Sequence, residues 1–104
     1  QAEASSEAQD RVRILLAEDN EINTLLARTL LADLSERTRE EPGCLDYGYY
    51  QSLTDPLRFF SFEIWQSAAD EAAHWQTEHL RQALERAGPL LQGSPEVTRS
   101  ARVA

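Results

Sequence analysis

Apolar and polar positions along the chain change period several times, and each change marks an element. Val12 to Ala17 is a short apolar run that predicts a first strand, and Glu18-Asp19-Asn20 breaks it, offering Asp19 or Asn20 as an N-cap. Ile22, Leu25, Leu26, Leu30 and Leu34 then recur at helical spacing, opposite Arg28, Asp33, Glu36 and Arg37. That pattern predicts an amphipathic helix of about 20 residues, about 30 Å long at 1.5 Å per residue. Pro42-Gly43 stops it.

The stretch from Glu41 to Trp65 follows, and it holds all three Tyr, all three Phe, one of the two Trp and the single Cys. Leu45 to Leu53 and Leu57 to Trp65 are strand-type runs on either side of Thr54-Asp55-Pro56, so a β-hairpin is predicted. Side chains alternate across a strand, which puts Phe59, Ser61, Glu63 and Trp65 on one face and Phe60, Phe62 and Ile64 on the other. Both faces are apolar, so both need a cover. Helices can supply one, and a second copy of the chain is the simplest source of the other. Ser61 and Glu63, between aromatic neighbours, mark a place where a few polar groups could face an apolar cavity.

Ser67 with Asp70 three residues on makes a capping-box-like start to a short second helix through about Trp75. Thr77 caps a third, where Leu80, Ala83, Leu84 and Ala87 form one stripe before Gly88-Pro89. Val97 to Val103 reads as a last strand, which makes the order β-α-β-β-α-β. Gln1 to Asp10 has no periodicity and is expected to be a disordered tail, leaving residues 11–104 as a single domain.

Composition narrows the partners. The net charge is −8 and all ten basic residues are Arg, so no Lys is present for a Schiff base, a pyridoxal anchor or a phosphate-loop lysine. No basic stripe suits phosphates, so neither nucleic acid nor an anionic membrane is expected as a partner. One Cys makes no intrachain disulfide, and no apolar run approaches a membrane span, so a cytoplasmic location is expected. Cys44, after a Gly in a turn, is read as a small buried residue.

The candidate chemistry is sparse. His74 and His79 are the side chains that exchange protons near neutral pH, and Glu63 could do so if buried. At i, i+5 the two histidines do not share one helix face, and no metal site is expected. Tyr47 and Tyr49 lie on one face of their strand and Tyr50 on the other.

From about Leu34 to Val103 the chain resembles the antibiotic biosynthesis monooxygenase family. The resemblance is carried by SERTREEPGCLDYGYYQSL, TDPLRFF, FEIWQS, AAHWQTEHL and the closing PEV. It implies an α+β fold of ferredoxin-like topology with an antiparallel sheet, assembled as a homodimeric α/β barrel. It also implies oxidation of a small phenolic or quinol-type aromatic by O₂ without metal, flavin or other cofactor. Trp65 matches the family's Trp, and His74 and His79 match its two His positions. Catalytic roles therefore fall to His74, His79 and Glu63, and substrate contacts to Trp65, Ser61, Tyr47 and Tyr49. Quinone-forming relatives place an Asn four residues before the Trp, where this chain has Ser61. Two other readings share the fold: a non-catalytic small-molecule-binding or stress-associated dimer, and an isomerase acting on a small carbonyl compound.

Residues 11–31, RVRILLAEDNEINTLLARTLL, resemble instead the opening strand and helix of a response-regulator receiver domain. In that family the acidic pair, here Glu18-Asp19, helps hold Mg²⁺ beside an acceptor Asp. A receiver also needs a late Lys and parallel α/β alternation, and this chain supplies neither.

Overall fold

A computed structural model describes residues 9–17 and 21–103. In chain order the elements are β1 (Gln9–Ala17), α1 (Glu21–Thr38), β2 (Cys44–Gln51), β3 (Arg58–Trp65), α2 (Ala68–His74), α3 (Glu78–Ala87) and β4 (Leu91–Ser100), with a 3-10 turn at Gly88–Leu90. The strands form one sheet in the order β2-β3-β1-β4, and every neighbouring pair is antiparallel. The fold is α+β and ferredoxin-like, as the resemblance implied.

Antiparallel pairing of β1 with both β3 and β4 overturns the receiver-like reading, because a receiver's first strand lies in a parallel sheet. The pair Glu18-Asp19 itself lies outside the described residues. Gln9 and Asp10, read as the end of a tail, are the first residues of β1, opposite Trp65 and Ile64. The last strand starts at Leu91 and ends at Ser100, not at Val97 and Val103. Pro95 hid its beginning from sequence pattern, but β4 is an edge strand, where a missing N–H is tolerated.

The period of 2 in β3 is reproduced in its burial. Phe59, Ser61, Glu63 and Trp65 are buried, while Phe60, Phe62 and Ile64 are only partly covered. The buried face meets the helices through two apolar clusters: Ala27 and Leu31 with Phe59, and Leu34, Tyr47, Trp65 and Leu80. The buried face of α1 agrees with the expected stripe at Leu34 and half-buried Leu30 and departs from it in the first turns. Ala27, Leu31, Leu34, Ser35 and Thr38 point inward, whereas Ile22, Leu25 and Leu26 are exposed. Small residues at Ala27, Ser35 and Thr38 let the helix backbone approach the sheet, which a stripe of leucines would hold off.

The turn from α1 into β2 is set by Gly43, whose φ of 83° lies in the left-handed region. Its carbonyl accepts from Gln66 N at 2.8 Å, joining the turn to the end of β3. A Cβ here would lie 2.1 Å from Asp70 Cγ. Asp70 cannot easily yield, because it belongs to the cap of α2: Ser67 Oγ accepts from Asp70 N at 3.2 Å and donates to its Oδ2 at 2.9 Å. The predicted capping pair is therefore also what positions the turn before β2.

Candidate functional site

Strand register builds a polar layer between the sheet and the helices. Tyr47 lies opposite Glu63, which lies opposite Arg11, and Tyr49 lies opposite Ser61, which lies opposite Arg13. Arg11, Arg13, Ser61 and Glu63 are all buried. Glu63 Oε2 accepts from Ser61 Oγ at 2.8 Å and its Oε1 accepts from Trp65 Nε1 at 3.0 Å. Arg11 donates to Glu71 Oε2 at 2.6 Å and lies 3.8 Å from Glu63 Oε1, and Arg99 reaches Glu71 from β4 at 3.1 Å. A buried carboxylate and a buried guanidinium are tolerated here because each is paired and hydrogen-bonded. The guanidinium carbons of Arg11 and Arg13 each lie 4.5 Å from the ring centre of Trp75.

A second cluster gathers where α1, α2 and α3 converge. Oε2 of Glu41 accepts from His74 Nδ1 at 2.7 Å and from His79 Nε2 at 2.5 Å. On one continuous helix the two histidines, five residues apart, would face different sides. The chain leaves α2 at His74 and restarts α3 at Glu78, which turns both rings toward one carboxylate. His74 is buried and packs against Trp65 and Tyr47, with ring centres 5.1 and 5.4 Å away. Ligand atoms of Glu41, His74 and His79 all lie within 4.8 Å of one another, a two-histidine, one-carboxylate donor set that a divalent cation could take in competition with the hydrogen bonds.

Between the sheet, α1 and α3 lies a recess of about 130 Å³, walled by Leu30, Leu31, Leu34, Ala83, Leu84 and Leu91. Among the described residues, Arg13 and Tyr49 are the only side chains on its lining that carry a charge or a hydroxyl. Burial pushes the Tyr49 hydroxyl above its ordinary range, with Arg13 pulling the other way. Tyr47 is pushed up as well, by burial first and then by Tyr49 and Glu63. Both phenols are therefore neutral groups that can donate or accept a hydrogen bond. A larger, more open groove of about 830 Å³ runs along α1 and β2 past Arg28, Arg39 and Tyr50.

Of the residues expected at a site, Tyr49 lines the recess. Ser61, Glu63 and Trp65 form one hydrogen-bonded set in the polar layer, with Tyr47 packed against Trp65 at 6.2 Å between ring centres. His74 and His79 meet at Glu41. Sequence reading missed Arg11, Arg13, Glu41, Glu71 and Trp75. The alternation Arg11-Val12-Arg13-Ile14 was the available signal, since it puts both cations on the strand face opposite Val12 and Ile14.

Comparison with known proteins places this architecture. A sequence model described as antibiotic biosynthesis monooxygenase matches residues 23–86. The uncharacterized protein sll1783 of Synechocystis sp. is 34% identical over 62 residues, covering 60% of this chain and 42% of that protein. The chain thus spans less than half of that relative's length. Among solved structures, PA3566 from Pseudomonas aeruginosa superposes with a TM-score of 0.87 at 25% identity, covering 96% of this chain and 98% of that one. A conserved protein of unknown function from Bacteroides thetaiotaomicron, described as a possible oxidoreductase, superposes with a TM-score of 0.78 at 27% identity, covering 93% and 98%. With the matched segment spanning more than half of the sequence and the ferredoxin-like sheet in place, the chain belongs to the antibiotic biosynthesis monooxygenase family.

Proposed function

We propose that this protein binds a small phenolic or quinol-type aromatic in the recess between sheet and helices and oxidises it with O₂, without a bound cofactor. The observation that carries this reading is the recess, with apolar walls for a ring and Arg13 and Tyr49 for its oxygen. The chemistry asks little of the protein. A phenolate transfers one electron to O₂, the phenoxyl radical and superoxide combine at a ring carbon, and the resulting peroxide loses water. One oxygen atom ends in the quinone and the other in water, so a phenol and O₂ give a quinone and H₂O.

His74, His79 and Glu63 stand behind the recess in this reading. Glu41 holds His74, His74 packs on Tyr47, and Tyr47 packs edge-on against Tyr49 with ring centres 5.9 Å apart. Their role is to fix Tyr49, while the phenolic proton leaves to water. Trp65 and Ser61 fix Glu63 in turn. A second reading, binding without turnover, is favoured by the fact that none of His74, His79 and Glu63 lines the recess.

The working unit is a homodimer. Tyr50, Phe60, Phe62 and Ile64 line the sheet face that none of the described helices covers, and Tyr50 and Phe60 stack there with ring centres 5.4 Å apart. A second copy of this face is the simplest cover for it. Oxygen uptake with a panel of hydroxylated aromatics tests the activity, and uptake no faster than the uncatalysed rate across the panel removes it.

A further inference from the structure

Arg13 is 3% exposed, yet its Nε and Nη2 have no hydrogen-bond partner among the described residues. Arg11, two residues earlier on the same strand face, also leaves Nε and Nη2 without a partner, but its charge is met through Nη1 by Glu71 at 2.6 Å and Glu63 at 3.8 Å. No carboxylate pairs with Arg13 among the described residues; the Trp75 face lies against it at 4.5 Å, and the neutral Tyr49 hydroxyl is its hydrogen-bonding neighbour. An unpaired buried charge costs heavily in a protein interior, and the cost is recovered when an anion arrives. Arg13 also lines the apolar recess, so an anion entering there meets it directly.

Size sets a second limit. The recess measures about 130 Å³. An engineered apolar cavity of about 150 Å³ is filled by a single benzene ring. One six-membered ring fills that space, whereas a second fused ring would have to extend out of the recess.

We propose that Arg13 is the anion anchor of the recess, and that the molecule it takes is a single ring bearing one anionic oxygen, as phenolate or carboxylate. This rests on the recess being the ligand site and narrows its substrate class from aromatics in general to one-ring anions. The planar guanidinium offers Nε and Nη2 as a fork that a carboxylate meets with two parallel hydrogen bonds and a phenolate with one shared oxygen. Tyr49, beside it, donates to the same oxygen.

The test titrates the full chain with benzoate, the neutral isostere benzamide, 1-naphthoate and 4-nitrophenol. Benzoate is expected to bind about tenfold or more tightly than benzamide, as a charge-assisted pair should, and more tightly than 1-naphthoate. The absorbance of 4-nitrophenol is expected to move toward the phenolate on binding. Benzoate preference alone identifies a carboxylate, nitrophenolate shift alone a phenolate, and either supports the anchor. Arg13→Met is expected to bring benzoate and benzamide to equal affinity while its thermal midpoint holds or rises, since an unpaired cation is gone. Arg13→Gln serves the same purpose if the Met variant does not fold.

Equal affinities for benzoate and benzamide with no nitrophenolate shift, no binding of any probe, or an anion preference that survives loss of Arg13 would each overturn the proposal. Tighter binding of 1-naphthoate would overturn the one-ring limit. Oxygen uptake by phenols without anion preference would leave the oxidation reading standing and remove this one; anion preference without uptake would do the reverse.

Discussion

Glu41 and His74, far apart in sequence, are joined by a 2.7 Å hydrogen bond from Nδ1 to Oε2, which ties the turn after α1 to the end of α2. His79 Nε2 reaches the same oxygen at 2.5 Å. Removing the carboxylate therefore strands two donors at once. Glu41→Ala is expected to cost about 1–3 kcal/mol, the penalty of a buried polar group left unpaired. His79→Ala is expected to cost less, because its side chain is 20% exposed and water replaces it. Glu41→Ala and His74→Ala combined should fall short of their sum by about 0.5 kcal/mol or more. Urea denaturation of the four proteins measures this; strict additivity would show that the two residues act independently.

Gly43 gives a sharper stability test. A positive φ costs a non-glycine residue about 1–2 kcal/mol, and the new Cβ would also displace Asp70 from the cap of α2. Gly43→Ala is therefore expected to lose about 2 kcal/mol or more. Adding Asp70→Ala should relieve the clash but not the backbone strain, so the double variant stays below an Asp70→Ala control. Thermal melts of the three variants check it.

Cys44 predicts how the fold responds to alkali. Burial, then Glu41, Glu63 and Asp46, push its thiol up to about 11, from 9.0. The unfolded thiol ionises first as pH rises, so stability from this group is whole below about 9, falls between about 9 and 11, and changes no further above that. Tyr47 and Tyr49, also raised, extend the loss above about pH 10, where free phenols ionise. At pH 8 the two-unit rise leaves about 100-fold less thiolate. Iodoacetamide is expected to label the native protein about 100-fold more slowly than the urea-unfolded chain.

Much of the fold was legible because its elements repeat simple periods. The hairpin, its two-faced strands and the caps at Ser67 and Thr77 follow from spacing alone. The buried face of α1 was legible only in part, because its early leucines outweigh Ala27, Ser35 and Thr38 in any hydrophobic count, although the small residues set the close approach. Trp65, Glu63 and Ser61 were placed correctly on one strand face, but the three hydrogen-bond to one another across the polar layer. Arg13 stayed hidden for a physical reason: its alternation with Val12 and Ile14 marks one strand face as charged, pattern assigns such a face to the surface, and only the strand register turns it toward the interior.

The uncovered sheet face makes its own prediction. Phe62 sits near its centre and is 37% exposed in the single chain. Light scattering of the wild type at micromolar concentration is expected to give twice the chain mass, and Phe62→Lys, which puts a charge in that face, is expected to give the chain mass. A monomeric wild type would leave the two-faced strands without their proposed cover.

The most direct measurement is oxygen uptake under air with a panel of one-ring phenols and quinols, with quinone absorbance followed in parallel. The account predicts uptake above the uncatalysed rate for at least one of them, with quinone formed in proportion to O₂ and the rate lost in Arg13→Met. Uptake equal to the uncatalysed rate across the panel, or a rate indifferent to Arg13, would contradict it.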